Sequence, residues 1–442
     1  MVGRKRSGLA IHRRAYGCGH CTHVTPTTFT VAYNGNTNTG GTYPSDGSSP
    51  YASGSIVAVL GNSGSPVLAK SGFTFAGWNT SADGSGTSYS QGNTFTISAN
   101  IILYARWTAV PIVSPPTALS SVGGDQAAYI LFTQSGTVTN YEYSTDNGAT
   151  YLAFDPPQIY SPVEINTLSS DLDRTIRLTN DLVYPVKLKA VNSGGSGIES
   201  LPVDVTPTVT SLASAGRIIY LDANNSSSYS GTGSTWTNLD SGGIYSATLN
   251  GAPPFNTTDS NNKYFDFNRA AATGQFAQIG NAAAINPVAN QPFTIQMWAR
   301  INNVGAQGSL VSKVFLGGSY DGYAVGYRSD NRLQLHANGN SQVNYFDSVT
   351  GVLSNGWVLY TANIQFGNGG GRQNKLFVNG RQILSVTSTD NISSPTQNLT
   401  FPTGFYGEGE CDIGQFYYYN TELTTAQIIQ NYDASKPRYT TI

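Results

Sequence analysis

The stretch from residue 410 to residue 439 limits the fold of this 442-residue chain more than any other. Its first part, Asp412 to Tyr419, is a run of β-branched and aromatic residues that predicts a strand, and Leu423 to Tyr432 has the apolar spacing of a helix. Thr424 and Gln427 have the spacing of a capping box at a helix start. The chain should therefore end in a long strand followed by one short helix.

The rest of the chain has the composition of many short strands joined by polar turns. Only 11% of its residues are charged, against about 25% in an average protein, while 49 residues are Gly and 27 are Tyr. The formal net charge of -2 provides no overall field that would attract nucleic acid or an anionic membrane. No apolar run approaches the roughly 20 residues that a membrane span requires. At roughly 150 residues per domain, a chain of 442 residues should hold about three domains, so we predict an all-β chain of three tandem β modules behind a basic N-terminal arm.

The arm, residues 1–26, contains no acidic residue. Its cations are Arg4, Lys5, Arg6, Arg13 and Arg14. A flexible solvated segment is one interpretation, and a docking arm for a partner surface or nucleic acid is the other. Its apolar run is too short for the centre of a signal peptide, so we expect no ordinary secretion signal here.

The arm also contains Cys18, His20, Cys21 and His23. Thiolates and imidazoles are ligands that zinc prefers, so these residues are a candidate zinc site. A single C-x-x-C pair also fits a local or interchain disulfide, or no special role. The letters Cys-Gly-His-Cys resemble the redox centre of protein disulfide isomerases. No thioredoxin-like βαβ unit follows them, which argues against thiol catalysis.

Residues 27–109 make up the first β module, the repeat module. Its pattern is carried by Phe75, Gly77, Trp78, Asn79, Thr80, Gly84 and Gly86 and by the closing run Tyr104-Ala105-Arg106-Trp107. This pattern resembles the internalin B-repeat, also called the Listeria-Bacteroides repeat. The resemblance implies a small β-rich module of surface proteins that acts as a stalk or adhesive spacer. Because so small a fold needs its largest side chains for its core, we expect Trp78 and Trp107 to be core residues rather than ligand platforms.

A proline-bearing linker at residues 110–118 precedes the second module, residues 119–208, called the middle module below. One of its segments carries Leu182, Tyr184, Val186, Leu188, Ala190, Val191 and Asn192. This segment resembles the F and G strands of a fibronectin type III domain. The resemblance implies a spacer sandwich in which Tyr184 bonds the preceding loop as a tyrosine corner. The usual core tryptophan of the B strand is missing, and Tyr129 or Phe132 is the expected replacement.

Residues 209–442 form the third and largest module, the C-terminal sandwich. Its opening carries Leu221-Asp222-Ala223, Tyr229, Gly231, Gly233, Thr235-Trp236 and Leu239. With its closing run, this pattern resembles the laminin-G-like modules of the concanavalin A-like superfamily, found in virion and bacterial surface proteins, and it implies a two-sheet jelly roll. Independently, the alternation from Thr294 to Ile301 predicts a strand with one face in a core, and Asn379-Gly380 predicts a two-residue hairpin turn.

Concanavalin A-like folds also include glycoside hydrolases, which place carboxylates on alternate residues of one strand. Glu408, Glu410 and Asp412 are the nearest arrangement here, and Glu410 and Asp412 would share one face of a strand. Gly414 and Gln415 then stand where the third acid of the hydrolase pattern is expected. We therefore favour a non-enzymatic module and keep a glycan-active hydrolase as an alternative.

Two kinds of ligand site are predicted in the third module. Laminin-G-like domains often hold calcium through Asp and Asn oxygens at the rim of the sandwich, and most of the candidates by residue type also suit turns. These candidates are Asp222, Asn224, Asp240, Asp321 and Asp330. Glycan recognition needs aromatic faces beside polar donors, and the candidates are Tyr323, Tyr327, Arg328, Arg332 and His336. The alternative is that the two tyrosines belong to the core.

These patterns predict a non-enzymatic structural or adhesive surface protein. We interpret it as a minor capsid, decoration or fibre component of a large DNA virus or phage, located on the virion, with a bacterial cell-surface adhesin as the alternative. Its third module would be a distal head that contacts other capsid or surface proteins, or host surface glycans, within a larger assembly. No contact with nucleic acid is expected, except through the arm.

Overall fold

The computed structural model describes residues 26–259, 261–267, 274–286, 291–314, 321–338, 345–365, 372–388 and 396–439. These residues are mostly strands and turns, with α1 (Thr425–Ser435) as the α-helix of the described part. The all-β prediction is confirmed. The chain divides into two compact units, one with residues up to 112 together with 192–195, and one with the remainder. Among the described residues no helix has the length and apolar character needed to cross a bilayer.

The first unit holds the repeat module. Its strands are β1 (Thr28–Phe29), β2 (Val31–Asn34), β3 (Tyr51–Ala52), β4 (Ile56–Ala58), β5 (Phe73–Asn79), β6 (Ser88–Tyr89), β7 (Thr94–Thr96) and β8 (Ile101–Ala109). The main sheet has the order β2-β8-β5-β6, with β2 parallel to β8. Trp78 is fully buried and its ring centroid lies 4.7 Å from that of Tyr33. Trp107 packs against the same core, so both tryptophans are core residues, as the sequence predicted.

The middle module is a sandwich of two antiparallel sheets. Its strands are β9 (Thr117–Gly124), β10 (Ala127–Thr133), β11 (Asn140–Ser144), β12 (Leu152–Ala153), β13 (Val163–Ile165), β14 (Tyr184–Asn192), β15 (Gly195–Glu199) and β16 (Val203–Val205). One sheet has the order β13-β10-β9, and the other has the order β12-β11-β14-β15 with β16 also paired to β14. Alternate residues of β10, β11 and β14 fill the space between the sheets.

Two tyrosines of the middle module lie in different places. The Tyr184 hydroxyl accepts a hydrogen bond from the Thr179 N–H at 2.9 Å, which is the loop contact that the fibronectin resemblance implied. Tyr129, proposed to replace the missing tryptophan, points out of the sandwich toward α1. Phe132 packs against the core instead, with its ring 4.8 Å from that of Tyr141.

The C-terminal sandwich consists of two eight-stranded sheets. Its strands are β17 (Arg217–Asp222), β18 (Thr235–Trp236), β19 (Ala247–Asn250), β20 (Phe255–Asn256), β21 (Tyr264–Phe267), β22 (Phe276–Ile279), β23 (Phe293–Ile301), β24 (Gly308–Val314), β25 (Gly322–Tyr327), β26 (Leu333–Asn338), β27 (Tyr345–Asp347), β28 (Val358–Ile364), β29 (Arg372–Val378), β30 (Arg381–Ser388), β31 (Leu399–Phe401) and β32 (Cys411–Tyr419). The first sheet has the order β20-β21-β32-β23-β28-β29-β30, with β17 also on β32; the second has the order β18-β19-β22-β31-β24-β25-β26-β27.

The strand β23 shows how the layers form. Ile295, Met297 and Ala299 face the core between the two sheets, and Trp298 faces the opposite side of the first sheet. This is the alternation that the sequence predicted. The predicted hairpin also forms, because Val378 at the end of β29 pairs with Arg381 at the start of β30.

Helix α1 covers the outer face of the first sheet. The Thr424 side chain accepts from the Gln427 N–H while the Gln427 side chain accepts from the Thr424 N–H, so the predicted capping box is confirmed. The helix ends at Ser435 rather than at Tyr432, just before Pro437. Ile428 packs against the sheet, and Ile429 packs against Ala127 and Tyr129 of the middle module. One helix therefore joins the two sandwiches of the second unit.

Candidate functional site

The tyrosines predicted to bind glycan lie in the core. Tyr323 and Tyr327 are on β25, both are fully buried, and both belong to the cluster between the two sheets. The Phe293 ring lies 4.8 Å from the Tyr323 ring. A ring enclosed in this way offers no face to a sugar, so the alternative interpretation, a place in the core, is the one that the structure supports.

His336 lies on β26 and is fully buried as well. Its ring stacks on Phe405, with centroids 4.1 Å apart. Phe405 belongs to the loop that crosses the outer face of the second sheet, where the Phe405 N–H donates to Ser312 Oγ at 3.2 Å. The imidazole is therefore enclosed by the protein itself rather than presented to a ligand.

Arg328 and Arg332 lie at the turn of the same hairpin and are partly exposed. Arg328 contacts Asp330 at 3.3 Å and Asp347 at 3.1 Å. Arg332 contacts the same two carboxylates at 3.5 and 3.8 Å. Two cations thus share two anions, and the cluster has little residual charge for a ligand. The five predicted glycan residues are not brought together on one open surface.

The acidic residues proposed for calcium are used in other ways where the structure shows their contacts. Asp222 accepts from both Arg438 terminal nitrogens at 2.7 and 2.8 Å, and Asp240 accepts from Arg217 Nε at 2.7 Å. Burial opposes ionisation of Asp222, but the bonds from Arg438 lower the pKa of its carboxyl below the ordinary value. Within the described ranges, no group of three or more His, Cys, Asp and Glu residues is arranged to hold a metal. Calcium binding stays a prediction.

The zinc prediction for Cys18, His20, Cys21 and His23 lies outside the described residues, which begin at residue 26. It stays a prediction too.

The hydrolase-like carboxylate has a structural role. Asp412 on β32 accepts from Arg300 Nε at 2.8 Å and from Asn302 Nδ2 at 3.1 Å, and its side chain is 3% exposed. Burial raises its pKa, while the bonds from Arg300 and Asn302 act in the opposite direction. Both carboxylate oxygens are thus occupied by neighbouring side chains, and Asp412 is not open to a scissile bond.

A different place in the second unit has the features of a ligand site. The middle module and the C-terminal sandwich enclose a cleft of about 330 Å³, which we call the junction cleft. Its lining combines aromatic, amide and charged side chains: Tyr129, Gln158, Tyr160 and Glu164 from the middle module, and Asn379, Arg381, Tyr432 and residues 349–352 from the sandwich. Small-molecule sites have volumes of about 300–1,000 Å³, so the cleft is large enough for a small ligand.

The first wall is the loop at residues 155–162. The Gln158 side chain holds it, because Nε2 donates to the Glu164 carbonyl at 3.2 Å and Oε1 accepts from the Glu164 N–H at 3.1 Å. The Gln158 N–H in turn donates to Asn140 Oδ1 at 3.1 Å. These bonds fix the loop that carries Tyr160, a residue that is 52% exposed.

The second wall is the β29–β30 turn. Asn379 and Gly380 have φ values of 50° and 81°, a left-handed conformation that suits Asn and Gly. A Cβ at Gly380 would lie 3.1 Å from the Ile429 side chain, so the turn approaches α1 closely. Arg381 follows this turn, and its guanidinium lies 3.4 Å from the centroid of the Tyr160 ring, a cation–π contact across the cleft.

The third wall is α1 and the residues just after it. The Tyr129 hydroxyl donates to Asp433 at 2.6 Å and accepts from Lys436 at 2.5 Å, and Lys436 also contacts Glu164 at 2.7 Å. Burial opposes ionisation of Asp433, but its bonds to Thr210 and Tyr129 and the charge of Lys436 lower the pKa of its carboxyl. This network, defined by Tyr129, Glu164, Asp433 and Lys436, is called the junction network below. It holds the two sandwiches together beside the cleft.

Tyr160 and Arg381 were not among the residues predicted from the sequence. No motif marks either residue, and the two are far apart in the chain. The signal that was available is local: Tyr160 is an aromatic residue in a proline-containing loop, and Arg381 follows the Asn-Gly turn. Neither signal indicates that the two residues meet.

Comparisons with known proteins agree with the fold. Residues 271–429 match the family model of the concanavalin A-like lectin/glucanases superfamily, and residues 29–106 match that of the Listeria-Bacteroides repeat domain. No curated protein matches the sequence. The fibronectin type III resemblance of the middle module stays a prediction.

Solved structures show a distant likeness. The ligand-binding domain of botulinum neurotoxin serotype D, in complex with N-acetylneuraminic acid, is 15% identical with a TM-score of 0.36, covering 50% of this chain and 51% of that chain. The binding domain of Paraclostridial Mosquitocidal Protein 1 is 13% identical with a TM-score of 0.39, covering 49% and 52%. The binding domain of botulinum neurotoxin DC in complex with SialylT is 16% identical with a TM-score of 0.37, covering 50% and 51%.

The chain spans about half the length of these structures. The family matches cover two of the three modules: residues 29–106 are similar to the Listeria-Bacteroides repeat domain, and residues 271–429 are similar to concanavalin A-like domains.

Proposed function

We propose that this chain is a non-enzymatic surface protein that binds a ligand, and that the junction cleft is its ligand site. The observation that carries the proposal is the position of Tyr160. Its half-exposed ring stands against Arg381 inside a cleft whose walls are fixed by hydrogen bonds. An aromatic ring that is accessible, held in place and surrounded by polar groups is suited to recognition.

A carbohydrate is the ligand that this lining suits best. Sugars present apolar C–H faces together with many hydroxyl groups, and they need a ring and hydrogen-bonding groups in the same site. Tyr160 supplies the ring, while Asn379 and Arg381 supply donors. Asn379 Oδ1 accepts from the Leu359 N–H at 2.9 Å, and in the described part of the chain no hydrogen bond uses Asn379 Nδ2. The fold therefore positions the Asn379 side chain, and its Nδ2 N–H groups can donate to a ligand.

A glycan array probed with the full chain tests this proposal. We expect binding to a subset of glycans, and we expect Tyr160→Ala to abolish it because the platform is removed. Tyr43→Ala is the matched control, since Tyr43 is 55% exposed in the repeat module and does not line the cleft. Absence of binding to any glycan would refute the carbohydrate assignment, and binding to a protein partner lost in Tyr160→Ala would replace it.

The setting is part of the proposal. A place on a virion, as a capsid, decoration or fibre component, and a place on a bacterial cell surface both fit a repeat spacer joined to a binding domain. In either setting the repeat module would serve as a spacer and the second unit as the binding part. Immunogold labelling of purified particles and of intact cells distinguishes the two: label on particles supports the virion, and label on cells alone supports the adhesin.

A further inference from the structure

The charges around the junction cleft are unevenly balanced. Lys436 contacts Glu164 at 2.7 Å and Asp433 at 3.0 Å, so one cation lies between the two acidic groups of the junction network, and the network keeps one net negative charge. Arg381, on the opposite wall, makes no ion pair with any carboxylate in the part of the chain that the structure describes. Its guanidinium instead lies over the Tyr160 ring.

This arrangement is unusual within the C-terminal sandwich. The other arginines there whose side chains are described are each paired with a carboxylate: Arg217, Arg300, Arg328, Arg332 and Arg438. Each of these five arginines is thus neutralised at least in part by a carboxylate. Arg381 is the exception among these residues, and it is the one that lines the cleft.

The surroundings of Arg381 also favour an anion. The side chain is half-buried, and burial lowers the pKa of its guanidinium, although a guanidinium stays charged at neutral pH. A partly desolvated cation without a counter-charge gains more from an incoming anion than a fully hydrated one does. The planar fork of arginine matches the two oxygens of a carboxylate, and stacking on Tyr160 limits the orientations that the fork can adopt.

We propose that the junction cleft takes an acidic saccharide, and that Arg381 pairs with the carboxylate of its sugar ring. This inference rests on the proposed function, because it names the class of ligand for the same cleft. Tyr160 then contacts the sugar ring, while Arg381 forms an ion pair with the carboxylate of the sugar. The volume of about 330 Å³ indicates that the acidic residue is a single terminal or internal sugar rather than a long polyanion.

A matched pair of oligosaccharides tests the inference. They differ only in one residue, a neutral hexose in the first and the corresponding uronic acid in the second, and a third carries a sulfate on the neutral sugar. Their affinities for the full chain are measured by calorimetry at low and high salt. We expect the uronic acid form to bind at least about tenfold tighter than the neutral form, with a ratio that falls as salt rises.

The variants then identify the cation. Arg381→Gln should reduce the ratio of the two affinities to near one, and Arg381→Lys should restore only part of it, since lysine keeps the charge without the fork. Arg106→Gln, at an exposed site of the repeat module, should leave the ratio unchanged. Thermal unfolding of each variant shows that it is folded.

The outcomes separate the two proposals. Equal affinities for the neutral and uronic acid forms would overturn the acidic assignment, and so would a preference for the uronic acid form that survives in Arg381→Gln. Either result would leave the junction cleft as the proposed ligand site. A stronger preference for the sulfated form would also overturn it, in favour of a sulfated glycan. Saccharide binding that persists in Tyr160→Ala would show that the junction cleft is not the ligand site, and would refute the proposed function.

Discussion

The β25–β26 hairpin and the junction cleft both combine tyrosine with arginine, but the structure places them in opposite environments. Tyr323 on the hairpin is fully buried, whereas Tyr160 in the cleft is half exposed. Arg332 beside the hairpin shares the carboxylates of Asp330 and Asp347, whereas Arg381 stacks on a ring and has no carboxylate partner among the described residues. Similar residue types therefore build a core and a surface cluster in one region, and a candidate ligand site in the other.

The reason for the difference lies in the layers of the fold. The strand β25 is inside a sheet that is covered on one face by the first sheet and on the other by the loop carrying Phe405 and Tyr406. The loop at residues 155–162 lies at the edge of the middle module, where docking of the second sandwich leaves a gap. An aromatic residue becomes available to a ligand only where the layers fail to close over it.

The most severe test of this comparison is Tyr323→Ala. Removing a fully buried ring should lower the free energy of unfolding by about 4 kcal/mol, because the cavity it leaves is lined by packed side chains. Urea unfolding monitored by fluorescence measures the loss. A stable Tyr323→Ala protein that had lost glycan binding would show that the hairpin is the site after all.

The second test concerns the junction network. Asp433→Asn should reduce stability by about 3 kcal/mol at neutral pH, because Lys436 loses an anion beside it and the donors from Thr210 and Asp125 lose a charged acceptor. Glycan affinity should fall as well, since this network fixes the cleft. Unfolding curves at pH 7 for the two proteins provide the measurement.

The pH dependence of that difference has a defined sign. Because the pKa of Asp433 is lowered in the folded protein, its contribution is complete above the ordinary carboxyl pKa of about 4 and is lost as the pH falls through the lowered value. The stability gap between wild type and Asp433→Asn should therefore close in acid. A gap that widened below pH 4 would contradict this account.

The third test is Gln158→Ala, which removes the two hydrogen bonds between Gln158 and the Glu164 backbone. Stability should fall by about 1 kcal/mol, because these bonds are only partly buried. The free energy of glycan binding should change by more than the free energy of unfolding, since the loop that presents Tyr160 loses the bonds that fix it. Equal losses of affinity in Gln158→Ala and in Tyr43→Ala would show that the loop has no positioning role.

The smallest expected effect is that of Arg332→Ala. Its ion pairs are exposed and shared, so the free energy of unfolding should change by less than about 0.5 kcal/mol. The informative measurement is its affinity for glycan compared with that of Arg381→Ala. A larger loss of glycan affinity in Arg332→Ala than in Arg381→Ala would indicate that the ligand binds at the hairpin rather than in the cleft.

Much of the fold could be predicted because its signals are local. The alternation of β23, the Asn379-Gly380 turn and the Thr424–Gln427 capping box each depend on residues a few positions apart, and the structure confirms all of them. Where the sequence left two alternatives open, only the packing chose between them. Of the two expected replacements for the missing tryptophan, Phe132 packs against the sandwich core, whereas Tyr129 faces α1.

The sequence by itself determined that the chain is a series of β modules with one capped helix near its end, because strand and helix periods are properties of neighbouring residues. Only the tertiary structure decided where a ligand could enter. Tyr160, Arg381 and Tyr432 come from a loop, a hairpin and a helix that no sequence spacing connects, and they line one cleft because two sandwiches dock on the same helix. Docking depends on the shapes of whole faces, and a local pattern of residues does not contain that information.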